Sequence, residues 1–232
     1  MLGQRRVQAE LMDEPDMAGN RHAQALRGLE RINAWSGSAR ILWPALARLA
    51  RDGRKKINVL DVATGAGDLP IRLWQRARRA GLKLEFHGID RSESAVEHAR
   101  SRALDRGAEI RFSAWDALHR ELPGEYDAIT CSLFLHHLMD EQAVDLLQRM
   151  ALAARRLVLV NDLARSTAGL VLAYFGSRVL SRSPVVHVDG VRSVRAAFTV
   201  REVAALARRA DLEGATVSRW WPCRYLLTWS RA

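Results

Sequence analysis

The sequence has little of what marks several classes of protein. Its two cysteines, Cys131 and Cys223, lie far apart, which argues against a disulfide framework or a zinc site and fits a reducing cytosol. Its most apolar stretch, Ser166 to Leu180, is far too short to span a bilayer. Residues 1–16 have no apolar core of signal-peptide length, so export is not expected. These absences predict a cytoplasmic protein without a transmembrane segment.

Lysine is also scarce. Only Lys55, Lys56 and Lys83 are lysines among the 36 basic residues, although the formal net charge is +10. The remaining positive charge comes from arginines scattered along predicted helices, and dispersed arginine does not predict a nucleic-acid surface. A preference for acidic or phosphorylated partners stays open. The length of 232 residues and the hydrophobic content of 48% fit one globular catalytic domain.

The most informative segment is VLDVATGAGD, from Val59 to Asp68. The apolar, β-branched run from Ile57 to Val62 predicts a buried parallel strand. Gly65 and Gly67 then permit a tight turn and a close approach of the backbone to a ligand. Asp68 and the proline two residues later suit the first turn of a helix. The segment therefore predicts a strand, a glycine turn and a helix.

This turn lacks one glycine of the dinucleotide-binding pattern G-x-G-x-x-G, because Pro70 stands at the third glycine position. Asp68 at the start of the helix would repel a phosphate. The same carboxylate would favour a ligand with an ammonium or sulfonium group, so the turn suits S-adenosylmethionine better than NAD or FAD. On this segment alone, an ordinary strand-to-helix turn is the alternative.

Two further carboxylates follow predicted strands. The strand from Leu84 to Asp90 ends in an acid that can accept hydrogen bonds from both ribose hydroxyls of a nucleoside. A helix is predicted to begin after Ser92. The short strand from Ile110 to Phe112 precedes Asp116, which can accept from an adenine amino group. Each acid alone could be a solvated loop residue, but three in order, each after a strand, favour a nucleoside site.

With these blocks, and with YDAITCSLFLHHL from Tyr126 to Leu138, the chain resembles the class I S-adenosylmethionine-dependent methyltransferases over roughly residues 56–232. Within them it is closest in motif to the quinone-biosynthesis (UbiE-like) and small-molecule group. The resemblance implies an α/β fold, a Rossmann-like three-layer sandwich with a mostly parallel seven-stranded sheet. The terminal strand is expected to be antiparallel and to lie beside the fifth.

The resemblance also implies a set of cofactor-binding residues, and no metal is expected. Ala63 replaces the usual first glycine of the loop and should fit if that position does not need a positive φ. The residues expected to bind S-adenosylmethionine, and its product S-adenosylhomocysteine, are Asp61, Ala63, Gly65, Gly67, Asp68, Asp90, Arg91, Trp115, Asp116, Ala117, Ser132 and Leu133.

The expected organisation is an N-terminal helical cap over residues 1–52 and a methyltransferase domain over residues 53–232. Residues 163–198 form a lid-like insertion in the position where such enzymes bind their acceptor. The alternative is that the cap only covers a sheet edge and that the apolar helix in the insertion is buried core. The rest of the pattern predicts a helix from Asp140 to Ala153, a strand from Arg156 to Asn161, and a helix opened by a capping box at Thr199.

Methyl transfer from a sulfonium is a direct displacement, so the enzyme must align the acceptor and remove a proton where the acceptor needs it. His136 and His137 follow the fourth strand and are candidate general bases. His187, with Asp189, is a third candidate, and Arg192 or Arg195 could bind an acidic acceptor. Each histidine could instead only shape the pocket. Both cysteines are interpreted as structural.

The sequence therefore predicts methyl transfer to a small, aromatic, quinol-like or polyketide-like acceptor, on oxygen rather than carbon. The fourth strand ends without the carboxylates that metal-assisted catechol methylation requires. Three alternatives stay open. They are an RNA methyltransferase, a non-catalytic S-adenosylmethionine-binding protein and a nicotinamide oxidoreductase.

Overall fold

The computed structural model describes residues 4–8, 37–52, 56–124, 126–181 and 183–231. Helices and strands alternate through most of this part of the chain. The helices are α1 Ser38–Asp52, α2 Asp68–Arg79, α3 Glu93–Asp105, α4 Asp140–Ala153, α5 Thr167–Leu180, α6 Pro184–Ala196 and α7 Val200–Arg209, with a 3-10 turn at Leu135–His137. The strands are β1 Ile57–Val62, β2 Leu84–Asp90, β3 Ile110–Ala114, β4 Tyr126–Ser132, β5 Ala154–Leu163, β6 Thr216–Trp220 and β7 Arg224–Ser230.

The strands form one sheet in the order β3-β2-β1-β4-β5-β7-β6. The pairings among β1 to β5 are parallel. Strand β7 lies between β5 and β6 and runs antiparallel to both. The predicted mostly parallel, seven-stranded sheet with an antiparallel C-terminal strand beside the fifth is therefore confirmed.

Helices cover both faces of the sheet, so the fold has three layers. On one face, α1 and α2 bury Ile41, Leu46 and Leu73 against β1 and its neighbours. On the other face, α4 and α7 pack residues such as Leu147 and Leu206 against the opposite side of the strands. Because both faces are covered, the central strands are apolar nearly throughout, as the run from Ile57 to Val62 indicated.

The parallel strands bring their carboxyl ends to one edge of the sheet, where ligands bind in open α/β folds. At that edge lie Asp61 near the end of β1, Asp90 at the end of β2, Ser132 at the end of β4 and Asp162 near the end of β5. The fifth strand is longer than the predicted segment from Arg156 to Asn161. The extension carries Asp162, which a hydrophobic pattern does not identify as a strand residue.

The predicted lid-like insertion, residues 163–198, folds largely as the two helices α5 and α6. The side chain of Ser166 caps α5 by accepting from the Gly169 amide at 3.0 Å. The segment around His187, for which no helix was expected, is part of α6. Most of the predicted cap over residues 1–52 lies outside the described residues, so its division from the catalytic domain stays a prediction. Within the described ranges, no helix is long and apolar enough to cross a membrane.

A short N-terminal segment, residues 4–8, is attached to the edge of the sheet where the strands end. Arg5 donates to the carbonyl oxygens of His136, at 3.0 Å, and of Leu138 and Ala196. It also pairs with Asp140 at 3.1 Å, and its guanidinium lies 3.6 Å from the centre of the Phe198 ring. One side chain therefore joins the 3-10 turn, α4 and the end of α6.

Candidate active site

The glycine turn between β1 and α2 has three residues with positive φ. They are Ala63 at 55°, Gly65 at 53° and Gly67 at 73°. Alanine was expected to fit at position 63 if that position did not need a positive φ. The position does use the left-handed region, so this condition is not met. An L-residue pays about 1–2 kcal/mol there. Ala63 holds this conformation because Thr64 beside it is fixed by the main-chain bond from its amide to Ile89, at 3.0 Å.

The two glycines have different physical roles. A Cβ on Gly67 would stand 2.9 Å from the Phe112 ring and 3.0 Å from the Cβ of Ala99. Gly67 therefore allows the turn to pack closely on β3 and α3. A Cβ on Gly65 would meet nothing within 4 Å and would project into the cleft described below. Gly65 is the glycine that leaves room for a ligand.

Asp90 is fixed by two backbone amides. One carboxylate oxygen accepts from the Gly65 amide at 2.8 Å, and the other accepts from the Ser92 amide at 3.0 Å. A carboxylate has about four lone-pair sites, so capacity remains for two hydroxyl donors. The geometry joins the glycine turn to the end of β2 and fits the predicted contact with a ribose.

Asp61 is buried below the turn and is held by two threonines. Its oxygens accept from the hydroxyls of Thr64 and Thr130, each at 2.7 Å. Burial raises the pKa of Asp61 to about 6, the two hydroxyl bonds oppose the rise, and the charge of Asp90 adds to it. Burial therefore destabilises the ionised form of Asp61, and a nearby cation would stabilise it.

Asp68, the carboxylate at the start of α2, is paired with Arg102 of α3 at 2.6 Å. No local pattern predicts this partner, which lies 34 residues away. The ion pair fixes α3 against α2 behind the turn. It also neutralises part of the charge that was expected to favour a cationic ligand, so Asp61 contributes the more deeply buried carboxylate of the two.

Asp116 and its neighbours form the wall after β3. One oxygen of Asp116 accepts from the amides of Leu118 and His119, and the other pairs with Nδ1 of His119 at 2.9 Å. The hydrogen bond of His119 lowers the pKa of Asp116, so the carboxylate is ionised. The Trp115 indole donates to the Glu121 carbonyl at 3.1 Å and lies under the Arg120 guanidinium. Trp115 thus presents a fixed ring to the cleft.

These residues line a cleft at the carboxyl edge of the sheet. A part of about 520 Å³ lies over Asp90 and Trp115, and a part of about 250 Å³ lies over Asp61 and Ser132. The two parts meet at Ala63 and Gly65, and together they suit a ligand of nucleoside size and a second small molecule. Eleven of the predicted cofactor residues line it: Asp61, Ala63, Gly65, Asp68, Asp90, Arg91, Trp115, Asp116, Ala117, Ser132 and Leu133. The twelfth, Gly67, packs behind the turn.

The far wall of the larger part contains a buried pair, His136 and Asp162. Nδ1 of His136 lies 2.7 Å from one oxygen of Asp162, and the His136 amide donates to the other at 3.1 Å. Burial alone would raise the pKa of Asp162. The charge and hydrogen bond of His136, the Leu163 amide and the charge of Arg224 more than offset this, so the pKa is lowered. An ionised Asp162 holds the imidazole with Nδ1 protonated.

The other two predicted histidines differ from His136 in their surroundings. His137 is half-buried, lines the same wall, and has its ring centre 4.1 Å from that of His136. His187, on α6, is not among the described residues that line this cleft, and its Nε2 lies 2.8 Å from the Ser181 carbonyl. The structure brings His136 and His137 together and places His187 apart from them. Asp189, its predicted partner, has Arg192 at 3.9 Å.

Both cysteines lie away from any position for attack on a substrate. Cys131 is fully buried in β4, and burial raises the pKa of its thiol well above the ordinary value. Cys223 lies in the connection between β6 and β7. Neither sulfur lines the cleft in the part of the chain that the structure describes.

Several residues in or behind the walls of the cleft were not identified from the sequence. Asp162 was not among the predicted site residues, although its place near the end of β5 was a signal for a ligand site. Arg5 and the segment that follows it carry no recognisable motif, so no sequence pattern could have predicted them. The remaining unpredicted residues of the far wall are Val7, Gln8, Phe134, Leu138, Gln142, Ser193 and Ala196.

The sheet order and the cleft at its carboxyl edge are typical of a Rossmann-like fold with a site of nucleoside size. Residues 59–156 match the family described as "Methyltransferase domain". A demethylmenaquinone methyltransferase of Thermus thermophilus is 36% identical over 126 residues, which cover 53% of this chain and 56% of that protein. A ubiquinone biosynthesis O-methyltransferase of Bordetella parapertussis is 30% identical over 159 residues, or 67% of this chain and 61% of that protein. The chain thus matches less than two thirds of each relative's length.

Among solved structures, magnesium protoporphyrin IX methyltransferase from Synechocystis PCC 6803, with bound S-adenosylmethionine, has a TM-score of 0.57. The two chains are 17% identical, and the match covers 96% of this chain and 88% of that chain. At this identity it supports the fold alone. Together these findings support a class I S-adenosylmethionine-dependent methyltransferase that is similar to the UbiE-like group. The cofactor of this family is S-adenosylmethionine, and the open Cβ position of Gly65 beside the anchored Asp90 fits it.

Proposed function

We propose that the protein transfers a methyl group from S-adenosylmethionine to a hydroxyl of a small aromatic or quinol-like acceptor. The observation that carries this proposal is the His136 imidazole, which lines the cleft and is held at Nδ1 by the buried Asp162. A histidine fixed in this tautomer can remove a proton at Nε2. A hydroxyl acceptor needs such a base, whereas an acceptor without a proton to lose does not.

The two ends of the cleft have separate tasks. Asp90 holds the ribose hydroxyls, Trp115 and Asp116 hold the adenine, and Asp61 with Ser132 and Leu133 borders the charged end of the cofactor. When bound, the cofactor supplies an electrophilic methyl group. The chain's own residues then align the acceptor oxygen with that group and exclude water. The acceptor O–H bond breaks, its proton moves to Nε2 of His136, and Asp162 stabilises the resulting imidazolium.

An aromatic acceptor is supported by the lining of the far wall. Phe134, Leu138 and Val7 provide apolar surface, and Arg192 provides one positive charge at the border. This mixture suits a ring with a hydroxyl and, where present, an acidic substituent. The names of the two relatives, which concern menaquinone and ubiquinone, point to quinol-like acceptors of the same chemistry.

A pair of variants tests the role assigned to His136. His136→Gln should lower kcat by about 10²–10⁴ with little change in cofactor affinity, because the base is lost while the predicted cofactor contacts lie elsewhere in the cleft. His137→Gln is the matched control on the same wall and should retain most turnover. Turnover would be measured with labelled S-adenosylmethionine against a panel of phenolic and quinol acceptors.

The same panel should include RNA. A labelled RNA product with a steep salt dependence would replace this proposal with an RNA methyltransferase. Cofactor binding without any labelled product would favour a non-catalytic binding protein. Binding of NAD without binding of S-adenosylmethionine would contradict the assignment of S-adenosylmethionine as the cofactor of this chain. Methylation at carbon that is unaffected by His136→Gln would contradict the assignment to oxygen.

A further inference from the structure

A separate cavity of about 230 Å³ lies between the first turn of α1 and one face of α2. Four arginines line it, Arg40, Arg72, Arg76 and Arg79, and none of its lining residues in the described part of the chain is an acid. We call this site the arginine cavity. Its charge is opposite to that of the neighbouring cleft, which is lined by several carboxylates.

Three of these arginines form a stripe along α2. Arg72, Arg76 and Arg79 are four and three residues apart, so their side chains lie on the same face of the helix. Like charges at these spacings destabilise a helix. No acid of the described ranges pairs with any of the three. Arg76 donates to the Ala39 carbonyl at 3.3 Å, which holds the stripe against α1.

The first turn of α1 adds to this positive charge. The amides at the start of a helix have no partner inside the helix, and with the helix dipole they attract anions. Arg40 folds back over this turn, since its Nε would lie 3.5 Å from a Cβ on Gly37. The arginine cavity therefore combines guanidinium groups with the amide end of a helix.

A buried hydroxyl in the wall of the cavity is independent support for a ligand. Ser38, the first residue of α1, lines the arginine cavity and is 8% exposed. Its Oγ is buried and has no hydrogen-bond partner among the residues that the structure describes. Such unpartnered groups cost free energy and are rare in folded proteins. An anion in the cavity supplies the acceptor that this hydroxyl lacks.

We propose that the arginine cavity binds a phosphate-type dianion. Guanidinium groups pair with phosphate through parallel N–H bonds, and the starts of helices bind the same group. A phosphate has more acceptor oxygens than a carboxylate, so it can accept from arginines, amides and the Ser38 hydroxyl together. Arg40, Arg72 and Arg79 are exposed, so the anion can enter from solvent.

The arginine cavity adjoins the smaller part of the cleft. Ser38, Ala39 and Arg72 line both of them. Arg76 and Arg79 are not among the described residues that line the cleft, so an anion that they hold lies outside the part assigned to the cofactor. The proposal does not depend on which acceptor is methylated.

Titration calorimetry with inorganic phosphate, on the full chain and at an ionic strength fixed with sodium chloride, tests this proposal. The variant Arg76→Gln with Arg79→Gln should bind phosphate about tenfold less tightly than wild type, or not at all, because two charge-assisted hydrogen bonds are lost. The matched control is Arg48→Gln with Arg51→Gln. It removes the same charge from two exposed arginines near the other end of α1 and should bind like wild type.

Ser38→Ala tests the hydroxyl by itself. Because its Oγ has no partner to lose among the described residues, the variant should unfold at the same temperature as wild type without phosphate. It should bind phosphate about threefold less tightly, as expected for the loss of one hydrogen bond. An unchanged phosphate affinity would contradict the proposed contact with Ser38.

Four other outcomes would overturn the proposal. They are no phosphate binding by wild type, wild-type affinity in the variant of Arg76 and Arg79, and an equal loss in both double variants, which would attribute binding to overall charge. The fourth is phosphate binding that saturating S-adenosylhomocysteine abolishes, which would assign the arginines to the carboxylate of the cofactor. Because no turnover is measured, failure of the proposed methyl transfer leaves the phosphate result unchanged. Circular dichroism of the variants shows whether they fold.

Discussion

Nδ1 of His136 and Oδ1 of Asp162 lie 2.7 Å apart, and their side chains are 5% and 0% exposed. The hydrogen bond joins the 3-10 turn after β4 to the end of β5, so it fixes the far wall of the cleft to the sheet. Arg224 of β7 contributes charge from the other side of Asp162. The pair thus has a structural and a chemical role, which the variants below distinguish.

Asp162→Asn should lower turnover by about 10²–10⁴, because a neutral amide neither selects the Nδ1-protonated tautomer nor stabilises the imidazolium. It should also lower the free energy of unfolding, since the buried Arg224 loses the opposing charge of Asp162. Burial lowers the pKa of Arg224 to about 10, and the charge of Asp162 opposes this. Urea unfolding and turnover at low temperature measure the two effects. Normal turnover in a folded variant would limit Asp162 to a structural role.

Gly65→Val should abolish cofactor binding, because its side chain would project into the cleft. Gly107→Val is the matched control. Both glycines have a similar positive φ, 53° and 58°, and at neither would a Cβ meet an atom within 4 Å, so the backbone strain is comparable. Only Gly65 lines the cleft. Calorimetry should show loss of S-adenosylmethionine binding in the first variant alone. Equal loss in both would attribute the effect to strain.

Ala63→Gly should stabilise the protein by about 0.5–1 kcal/mol. Glycine adopts a φ of 55° without strain, and this gain exceeds the entropy that glycine adds to the unfolded chain. Thermal unfolding without ligand is the measurement. A decrease in stability would show that the Ala63 methyl group makes a packing contribution larger than its strain.

Cofactor affinity should increase with pH between 5 and 7, with a midpoint near the Asp61 pKa of about 6. The pKa of Asp61 in the folded protein lies above its ordinary value of 3.8. A bound proton therefore stabilises the folded protein at low pH, and this stabilisation is lost as the pH rises through 6. A cationic ligand prefers the ionised carboxylate, so the apparent Kd should be about tenfold higher at pH 5 than at pH 7. Titration calorimetry of wild type and Asp61→Asn tests this. If the apparent Kd changed equally with pH in the two proteins, Asp61 would be excluded as the titrating group.

The positions of the predicted cofactor residues at the edge of the sheet followed from the sequence because each is local to a strand end. VLDVATGAGD joins a strand to a turn within ten residues, and Asp90 and Asp116 each follow a short apolar run, so periodicity and glycine placement were sufficient. The carboxyl edge of a parallel sheet then had to bring them together. The confirmed mostly parallel sheet, with its antiparallel terminal strand beside the fifth, was predicted from the resemblance to the family, which the same local motifs supplied.

Contacts between distant residues could not be predicted in this way. Asp68 was expected to face a ligand, yet Arg102 pairs with it across 34 residues, and nothing in either local pattern specifies that contact. Asp162 gained its role from His136, which the turn after β4 places against the end of β5. The attachment of Arg5 to four separate groups at the far wall is equally non-local.

The sequence by itself determined the alternation of strands and helices, the glycine turn and the carboxylates at the ends of the strands, because these depend on local periodicity and turn chemistry. Only the tertiary structure decided that Ala63 accepts a positive φ, that His136 rather than His187 has a buried carboxylate partner in the cleft, and that α5 turns its large apolar side chains outward. Each of these depends on which distant surfaces meet when the chain folds, and a helical pattern alone does not state which of its faces is covered.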